Sequence, residues 1–573
     1  MHSTTLLARG LAPAVILALG ACRTAAPADA GATIPPAASA GATEPSITAE
    51  DMRRRIFAFA HDSMLGREAG TLGNVKATDY VAAEFRRLGL EPAGENGTYF
   101  QTVPMVERRL LSSRVIADGE TLAAGSDYVP LPHASFLPFG GGGRLDGVPV
   151  VYGGRLGEGA ELADEESVAG KLVIVAPATG PNDRAMYNFW AHGAALRRFA
   201  GAAGVAVVSL EVTPPGVRSF FTSPQTIVAD PDEAPRTRVG LVVSRRAAER
   251  LLGTSLDAAR PGQAGRTATA VVEFGDEPLP HPARNVVAIL RGADPAVNGQ
   301  YVAIGAHNDH EGISPRAVEH DSLRAFNSVM APLGANSPGG TPTPAQWALI
   351  RARLDSMRAI RPPRRDSIYN GADDDGSGTV TMLEAAEALA AGDPPRRSIL
   401  FVSHTAEEKG LYGSFWFTDH PTVPRDSIVA QLNMDMVGRG AAHDIEGGGP
   451  NYLQIIGSRR LSTELGDLID ATNADLPSPF VIDYSFDARG HPLNRYCRSD
   501  HYSYARYGIP IAYFSRGYHI DYHELSDEPQ YIDYAGMAKV GRLIADVAAN
   551  LANRGERIAV DGPVLGPDQP CRQ

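Results

Sequence analysis

The sequence predicts an α/β protein in which a mixed, mostly parallel sheet is sandwiched by helices, with a β-rich domain inserted into the chain. From about residue 283 to 555, short apolar strands alternate with helices, which is typical of a sheet covered on both faces. From about 120 to 278, short β-rich runs separated by Gly, Pro and Asp turns dominate instead. A chain of 573 residues is also too long for one compact core, so we expect several domains.

The composition excludes two classes of protein. Hydrophobic residues make up 43% and charged residues 21% of the chain, which are ordinary globular values and exclude wholesale disorder. The net charge is −13 and no dense basic tract occurs, so we expect no nucleic-acid partner. Because there are only three cysteines, any metal must be held by histidines and carboxylates.

Residues 1–22 have the features of a signal peptide. A short positive region precedes an apolar run of about a dozen residues, too short to span a bilayer, and a small-residue segment that ends at Cys22. This segment resembles the bacterial lipoprotein signal, in which the cysteine is lipidated; a plain secretory signal is the alternative. Arg23 favours the outer membrane in that resemblance, so we expect a lipid anchor there, facing the periplasm or cell surface. Residues 23–45 are predicted to be a disordered tether.

The ordered chain is expected to begin near Ser46, a candidate N-cap for the first helix. The predicted helices are 52–61, 75–88, 190–203, 344–359, 378–391 and 535–552. The predicted strands are 148–152, 171–176, 204–210, 238–243, 285–290, 301–306, 398–404, 428–434 and 509–514. The predicted segments are the first part of the larger domain (46–118), the inserted β-rich domain (119–280), the rest of the larger domain (281–555) and a tail (556–573). Residues 310–368, rich in Pro, Gly and Arg, interrupt the larger domain as a long insertion.

Five short polar strings carry the candidate chemistry. Each of the first four lies where an apolar strand ends and the chain turns into a loop or a helix. They are residues 305–310, 370–378, 406–410, 433–436 and 522–527. In an open α/β sheet the carboxyl ends of the strands converge on one crevice, so side chains far apart in sequence can meet there.

That crevice would hold two histidines and several carboxylates, a donor set suited to zinc and its neighbours. Two metals need a bridging carboxylate and about two further ligands each. The required number of donors is supplied by His307, Asp374, Glu408, Asp435 and His523. Glu407, next to one of these donors, is then a candidate general base for the attacking water.

Together and in this order, the five strings resemble the co-catalytic zinc aminopeptidases of metallopeptidase family twenty-eight, relatives of glutamate carboxypeptidase II. The resemblance runs through residues 283–540 and includes the strings 66–70 and 99–101, while the β-rich segment resembles a protease-associated domain. It implies a zinc-exopeptidase fold, two zinc ions per chain and peptide substrates attacked from the N-terminus. Alternatives of the same fold are a carboxypeptidase acting on acidic C-termini and a glutaminyl cyclase. A non-catalytic binding protein is the alternative from another class.

The resemblance also distributes the five donors between two ions. His307, Asp374 and Asp435 would hold one zinc, and Asp374, Glu408 and His523 would hold the other. Asp374 is chosen as the bridge because it lies three residues before the serine of the Ser-Gly pair.

Further residues near these donors have predicted roles. Glu407 would be the catalytic base, and Asp309 would orient His307 through its second ring nitrogen. The pair Asp500 and His501 resembles part of a Ser-Asp-His string near the family's active site, and is a candidate for a substrate-side role.

The chain departs from the family pattern and leaves some histidines over. Asn308 stands where the family commonly has Tyr, and the insertion 310–368 separates the first two ligands, so both can alter the substrate pocket. His310, His404 and His519 have no assigned role.

The cysteines form an even pair once Cys22 is set aside. Cys497 and Cys571 would lie in a compartment that permits disulfides, and a bridge would pin the C-terminal tail across the larger domain. Two free thiols are the alternative. The oligomeric state and the side-chain preference are left open by the sequence.

Overall fold

The protein is described by a computed structural model that covers residues 43–132, 140–157, 161–177, 196–213, 218, 221–230, 238–567, 569 and 571–573. The predicted signal peptide, Cys22, nearly all of the predicted tether and residues 190–195 of the predicted helix 190–203 lie outside these residues. Of the rest of that helix, Arg197–Phe199 form a short 3-10 turn. Within the described part of the chain, no helix is both long and apolar enough to cross a membrane.

The described strands and helices, in chain order, have the following bounds. The strands are β1 (Glu91–Pro92), β2 (Phe100–Val103), β3 (Met105–Ala117), β4 (Glu120–Thr121), β5 (Tyr128–Pro130), β6 (Gly143–Leu156), β7 (Leu172–Pro177), β8 (Gly204–Val208), β9 (Gln225–Val228), β10 (Val239–Val243), β11 (Ala264–Pro278), β12 (Ala283–Leu290), β13 (Tyr301–His307), β14 (Ile313–Glu319), β15 (Arg365–Ile368), β16 (Ser398–His404), β17 (Ile428–Met434), β18 (Tyr452–Ile456), β19 (Val481–Asp483) and β20 (Ile511–Ser515). The helices are α1 (Ala49–Phe59), α2 (Leu72–Arg87), α3 (Glu165–Val168), α4 (Arg245–Leu252), α5 (His320–Met330), α6 (Pro344–Arg358), α7 (Gly376–Ala391), α8 (Tyr412–Asp419), α9 (Thr463–Ala474), α10 (His501–Ala505) and α11 (Tyr534–Asn553).

The first sheet has the order β1-β12-β16-β13-β17-β20-β18-β19, with β2 also paired to β12. Its four central strands, β16, β13, β17 and β20, are parallel, whereas β12 and β18 join them antiparallel. All seven residues of β13 are buried, as expected for a parallel strand covered on both faces. The predicted mixed α/β sheet is therefore confirmed, with its parallel part at the centre.

Helices cover this sheet on both sides. Phe85 of α2 packs against Phe401 of β16, with ring centroids 5.9 Å apart. The next residue of that strand, Val402, points to the other face, where it shares a buried cluster with Phe417 of α8 and Tyr504 of α10. Removal of these apolar side chains from water on two faces stabilises the central strands and holds their ends in place.

The second sheet has the order β4-β3-β11-β6-β7-β8-β10-β5, with β9 paired to β3. Strands β6, β7, β8 and β10 run parallel, and the long strands β3 and β11 pair antiparallel. Because β3 (Met105–Ala117) pairs along β11, the β-rich segment begins at Met105 and not at the predicted boundary, residue 119. Both sheets belong to one compact unit, Ala38–Gln573.

The insertion at 310–368 contains more regular structure than predicted. Strands β14 and β15 form a two-stranded antiparallel sheet, and α5 and α6 lie between them in the chain. Helix α6 has the predicted position, with a capping box between Thr343 and Gln346 and a proline in its first turn. Helix α5 is capped by Glu319, whose side chain accepts from the main-chain nitrogens of Asp321 and Ser322, so it lacks the usual Ser, Thr, Asp or Asn signal.

The C-terminal tail is held against the first sheet's domain. Cys497 and Cys571 form a disulfide across 74 residues of chain, as the cysteine count predicted. Gln573 adds hydrogen bonds: its side chain accepts from the main-chain nitrogen of Tyr496 at 2.8 Å and donates to the carbonyl oxygen of Phe486 at 3.1 Å. The tail is therefore fixed by polar contacts as well as by the disulfide.

Candidate metal centre

The polar strings converge on the edge formed by the carboxyl ends of the central strands. His307 is the last residue of β13, and Asp435 directly follows β17. Parallel pairing aligns His307 with His404, the last residue of β16, and Glu407 and Glu408 follow three and four residues later. The parallel register thus brings these side chains to one edge of the sheet.

Asp374 lies at the centre of the candidate metal centre. Its Oδ1 is 3.2 Å from Nε2 of His307, and its Oδ2 is 3.0 Å from Nε2 of His523. Nε2 of His523 is also 3.0 Å from Oε2 of Glu408. His307, Asp374 and Asp435 each offer a donor atom within 4.8 Å of the others. The structure therefore brings all five predicted ligands together, with Asp374 between the two histidines.

Three successive aspartates at this position have three different partners. Asp373 accepts a hydrogen bond from Nε2 of His519 at 2.9 Å. Asp375 caps α7 and accepts from the main-chain nitrogen of His307 at 3.1 Å. Only Asp374 points its carboxylate at the two predicted histidine ligands. Its neighbours fix the backbone around it, and His519, unassigned from the sequence, belongs to this support.

Asp527, the last residue of the fifth string, also supports the bridge. Its carboxylate accepts from the main-chain nitrogen of Asp373 at 3.0 and 3.1 Å and from that of Asp374 at 3.0 Å. Both nitrogens precede α7, so the carboxylate of Asp527 orients the turn from which Asp374 projects.

Arg67 is a buried cation near the metal centre. The string 66–70 contains it, but the sequence predicts no role for Arg67 itself. Its guanidinium donates to four main-chain carbonyls: Nε to Asn308 at 3.2 Å, Nη1 to Asn370 at 2.5 Å and to Phe59 at 3.3 Å, and Nη2 to Gly371 at 2.8 Å. Burial lowers the pKa of Arg67 to about 10, against the opposing charges of nearby aspartates, so it remains a cation at neutral pH. One side chain thus joins the loop after β13 to the loop before α7.

Asp309 contacts both the first ligand and the turn with the candidate base. The nearer contact to Nδ1 of His307 is the main-chain oxygen of Asp309 at 3.2 Å, while its carboxylate is 3.7 Å away. That carboxylate accepts from the main-chain nitrogens of Glu407 at 3.1 Å and Glu408 at 3.4 Å. The predicted contact with His307 is therefore made chiefly by the backbone, and the carboxylate holds the Glu407–Glu408 turn.

A cavity of about 260 Å³ opens over these residues. The ionisable side chains that line it, tyrosines aside, are those of Asp374, Glu407, Glu408, Asp435, Arg498 and His523. The rest of its lining is made by Gly410, Leu411, Met436, Cys497, Tyr513, Tyr518 and Tyr522. Oε2 of Glu407 is 4.0 Å from Nε2 of His307, so the candidate base lies on the cavity wall beside a ligand. Polar groups that converge beside hydrophobic and aromatic side chains are usual in a small-ligand site, although this cavity is more strongly charged than most.

Asp500 and His501 do not contribute to this cavity, and the prediction of a substrate-side role is wrong for both. Each is fully buried behind the sheet edge. Asp500 lies 3.3 Å from Nδ1 of His404, whose Nε2 is 3.0 Å from the hydroxyl of Tyr504. The ring of His501 stacks on Tyr513 at 4.7 Å, and burial lowers its pKa to about 3, so it is neutral. Both belong to the packing of α10.

The electrostatics of the cluster favour a bound cation. Burial, with the charge of Asp374 adding to it, raises the pKa of Asp435 to about 6. Burial also raises the pKa of Glu407 well above its usual range, and the neighbouring carboxylates Glu408 and Asp435 add to this despite His307. Nε2 of His307 and Oδ2 of Asp374 are buried without a hydrogen-bond partner. Buried donors that face one another unsatisfied are what a metal ion would neutralise, so the residues present fit such an ion.

An α/β fold with histidines and carboxylates at the carboxyl edge of its parallel strands is typical of metal-dependent hydrolases. Residues 285–548 match the model of Peptidase family M28. This match lies in the part of the chain that carries the five polar strings, and it confirms the resemblance seen in the sequence.

Curated relatives match less than half of the chain. It is 30% identical over 228 residues to Leucine aminopeptidase 1 of Paracoccidioides brasiliensis (strain Pb03), which is 38% of this chain and 54% of that protein. It is 30% identical over 216 residues to Leucine aminopeptidase 1 of Sclerotinia sclerotiorum, which is 36% of this chain and 52% of that protein. The chain therefore spans about half the length of the curated relatives it matches.

Solved structures include similar chains. The aminopeptidase from Aneurinibacillus sp. strain AM-1 aligns with a TM-score of 0.44 and 17% identity, over 91% of this chain and 98% of that one. A zinc aminopeptidase from Bacillus subtilis aligns with a TM-score of 0.42 and 17% identity, over 89% of this chain and 97% of that one.

Proposed function

We propose that this protein is a zinc-dependent aminopeptidase that removes N-terminal residues from peptides, with two zinc ions per chain. The observation that carries the proposal is the carboxylate of Asp374, which faces His307 with one oxygen and His523 with the other. His307, Asp374 and Asp435 would hold one ion, and Asp374, Glu408 and His523 the other. The match of residues 285–548 to Peptidase family M28 and the name of the curated relatives, leucine aminopeptidase, support this assignment.

In the proposed reaction, Glu407 transfers the proton and Asp309 positions Glu407. When bound, the ions supply Lewis acidity, which polarises the scissile carbonyl and makes a water more acidic at neutral pH. Glu407 accepts the proton of the attacking water on its carboxylate and returns it to the leaving amine. Asp309 keeps the turn of Glu407 in place through the main-chain nitrogens of Glu407 and Glu408.

The cavity favours a small apolar terminal residue. Its volume of about 260 Å³ lies just below the range of about 300–1,000 Å³ usual for ligand pockets, so it has room for little more than one side chain. Leu411, Met436 and Tyr518 offer apolar surface there. We therefore propose that leucine-like N-terminal residues are preferred over charged ones.

A panel of blocked and unblocked substrates tests the activity. Leucyl, alanyl, glutamyl and lysyl 4-nitroanilides, each with a free or an acetylated amine, should be cleaved only when the amine is free, and leucyl fastest. Chelator should abolish turnover and zinc should restore it. Cleavage of acetylated peptides that end in glutamate would instead indicate the carboxypeptidase, and ammonia release from glutaminyl peptides the cyclase. Zinc bound without turnover of any substrate would favour a binding protein.

We also propose that the protein is lipid-anchored through Cys22 in the outer membrane. The support is the apolar run and small-residue segment before this cysteine. In a Gram-negative host, Cys22→Ser should abolish incorporation of labelled fatty acid and move the protein to the soluble fraction. Cys571→Ser is the matched control and should leave both unchanged. Unaltered fractionation of the Cys22→Ser variant would contradict the anchor.

A further inference from the structure

His310 lies within the metal centre although the sequence left it unassigned. It is fully buried, and its Nδ1 is 2.7 Å from Oε1 of Glu408. Its other nitrogen, Nε2, is buried without a hydrogen-bond partner. A buried polar atom of this kind needs an explanation. One ring nitrogen of His310 lies within 4.8 Å of donor atoms of Asp374 and Glu408, two of the side chains proposed to bind zinc.

The two oxygens of Glu408 face different histidines. Oε1 contacts Nδ1 of His310 at 2.7 Å, whereas Oε2 is 3.0 Å from Nε2 of His523. Oε2 therefore faces the proposed ligand His523, whereas Oε1 faces His310. A carboxylate oxygen at 2.7 Å is a good acceptor for an imidazole N–H, and such a charge-assisted bond is stronger than a neutral one.

The ring of His310 is held in this orientation by its surroundings. It meets the rings of Tyr369 and His523 edge-on, with centroids 6.3 and 5.8 Å away. Gly371 packs directly against it: a Cβ there would lie 2.5 Å from Cγ and Cδ2 of His310, and the φ of Gly371 is +52°. Only glycine fits at that position, so the loop before Asp374 is shaped to admit the imidazole.

We propose that His310 is a positioning residue that donates a hydrogen bond from Nδ1 to Oε1 of Glu408 and so presents Oε2 alone to the metal. This inference rests on the two-zinc site proposed above and extends it by one residue. Partners of this type orient a ligand before the ion arrives, and their loss typically weakens metal binding about 10–100-fold. The effect concerns the ion held by Glu408 and His523, and leaves the one held by His307 and Asp435.

Metal titration of histidine variants tests the proposal. Metal-free protein is titrated with Co²⁺ and followed by visible absorption, and zinc affinities are measured by competition with a chromophoric chelator. His310→Ala should weaken one of the two ions about 10–100-fold and leave the other unchanged. His310→Asn should restore most of that loss, because its amide nitrogen can take the place of Nδ1. His310→Gln should not restore it, because its amide nitrogen corresponds to Nε2.

The control and the possible contradicting results distinguish failure of the His310 positioning role from failure of the two-zinc proposal. His443→Ala removes a histidine whose side chain is 82% exposed, and should leave both affinities unchanged. Equal affinities of His310→Ala and wild type for both ions would refute the positioning role. Restoration by His310→Gln but not by His310→Asn would also refute it, and would make His310 a ligand through Nε2. Uptake of fewer than two ions by the wild type would instead overturn the two-zinc proposal, and this inference with it.

Discussion

Replacing Arg67 by methionine should destabilise the protein through the two loops that this arginine joins. The change removes four hydrogen bonds from a buried guanidinium to the carbonyls of Asn308, Asn370, Gly371 and Phe59. Hydrogen bonds from charged groups contribute about 1.5–3 kcal/mol each. The four contributions are not additive because they come from one guanidinium, and the variant no longer has to bury that charge, which offsets part of the loss. We therefore expect a loss of about 3–5 kcal/mol in the free energy of unfolding, the usual cost of breaking a buried charged network.

Urea unfolding of the two variants and a control measures this loss. Arg67→Lys keeps the charge but lacks the fork of donors, so it should recover only part of the stability. Arg250→Met removes an exposed ion pair with Glu120 on the surface of α4, and should change the free energy of unfolding by less than about 0.5 kcal/mol. Each is unfolded with excess zinc and with chelator. A loss below about 1 kcal/mol for Arg67→Met in both conditions would refute the reasoning.

Three further predictions concern catalysis, the disulfide and the metal. Glu407→Gln should bind zinc like the wild type, by elemental analysis, while kcat falls about 10²–10⁴-fold; loss of zinc would show that Glu407 is a ligand. Cys571→Ser should lower the free energy of unfolding by about 2–4 kcal/mol in urea, less than the loop length suggests because Gln573 also anchors the tail. Alkylation of both Cys497 and Cys571 without reduction would contradict the bridge. Chelator should lower the thermal midpoint of unfolding and zinc should restore it. At a hundredfold excess over Kd, each bound ion adds about 2.7 kcal/mol to the free energy of unfolding, so an unchanged midpoint would contradict a buried ion.

The ligand set was predictable from sequence because it lies at the ends of predictable strands. Strands β12, β13, β16 and β17 lie within two residues of their predicted bounds, since each is a short apolar run bounded by polar residues. Where these strands end, parallel pairing fixes the positions of His307, Glu408 and Asp435. Its place three residues before the serine of the Ser-Gly pair was enough to select Asp374 among three aspartates, and the structure points that residue at both histidines.

The supporting residues were not predictable, because their contacts have no local pattern. Arg67 donates to the carbonyl of Asn308 across 241 residues of chain. Because the acceptor is a main-chain oxygen, which every residue has, the contact leaves no signature in the residue type at position 308. His310 differs from an ordinary buried histidine only through its distance to Glu408. The roles predicted for Asp500 and His501 were wrong although a sequence motif suggested them. The motif placed both residues near the metal centre, but their side chains are buried in the protein and do not line the cavity.

Anomalous diffraction at the zinc edge, from crystals of the protein grown with zinc, tests the central claim most directly. The account predicts two peaks per chain, one contacted by His307 and Asp435, the other by Glu408 and His523, and both by Asp374. Glu407 should contact neither peak. One peak, no peak, or a zinc ligated by Glu407 in place of these residues would contradict the account.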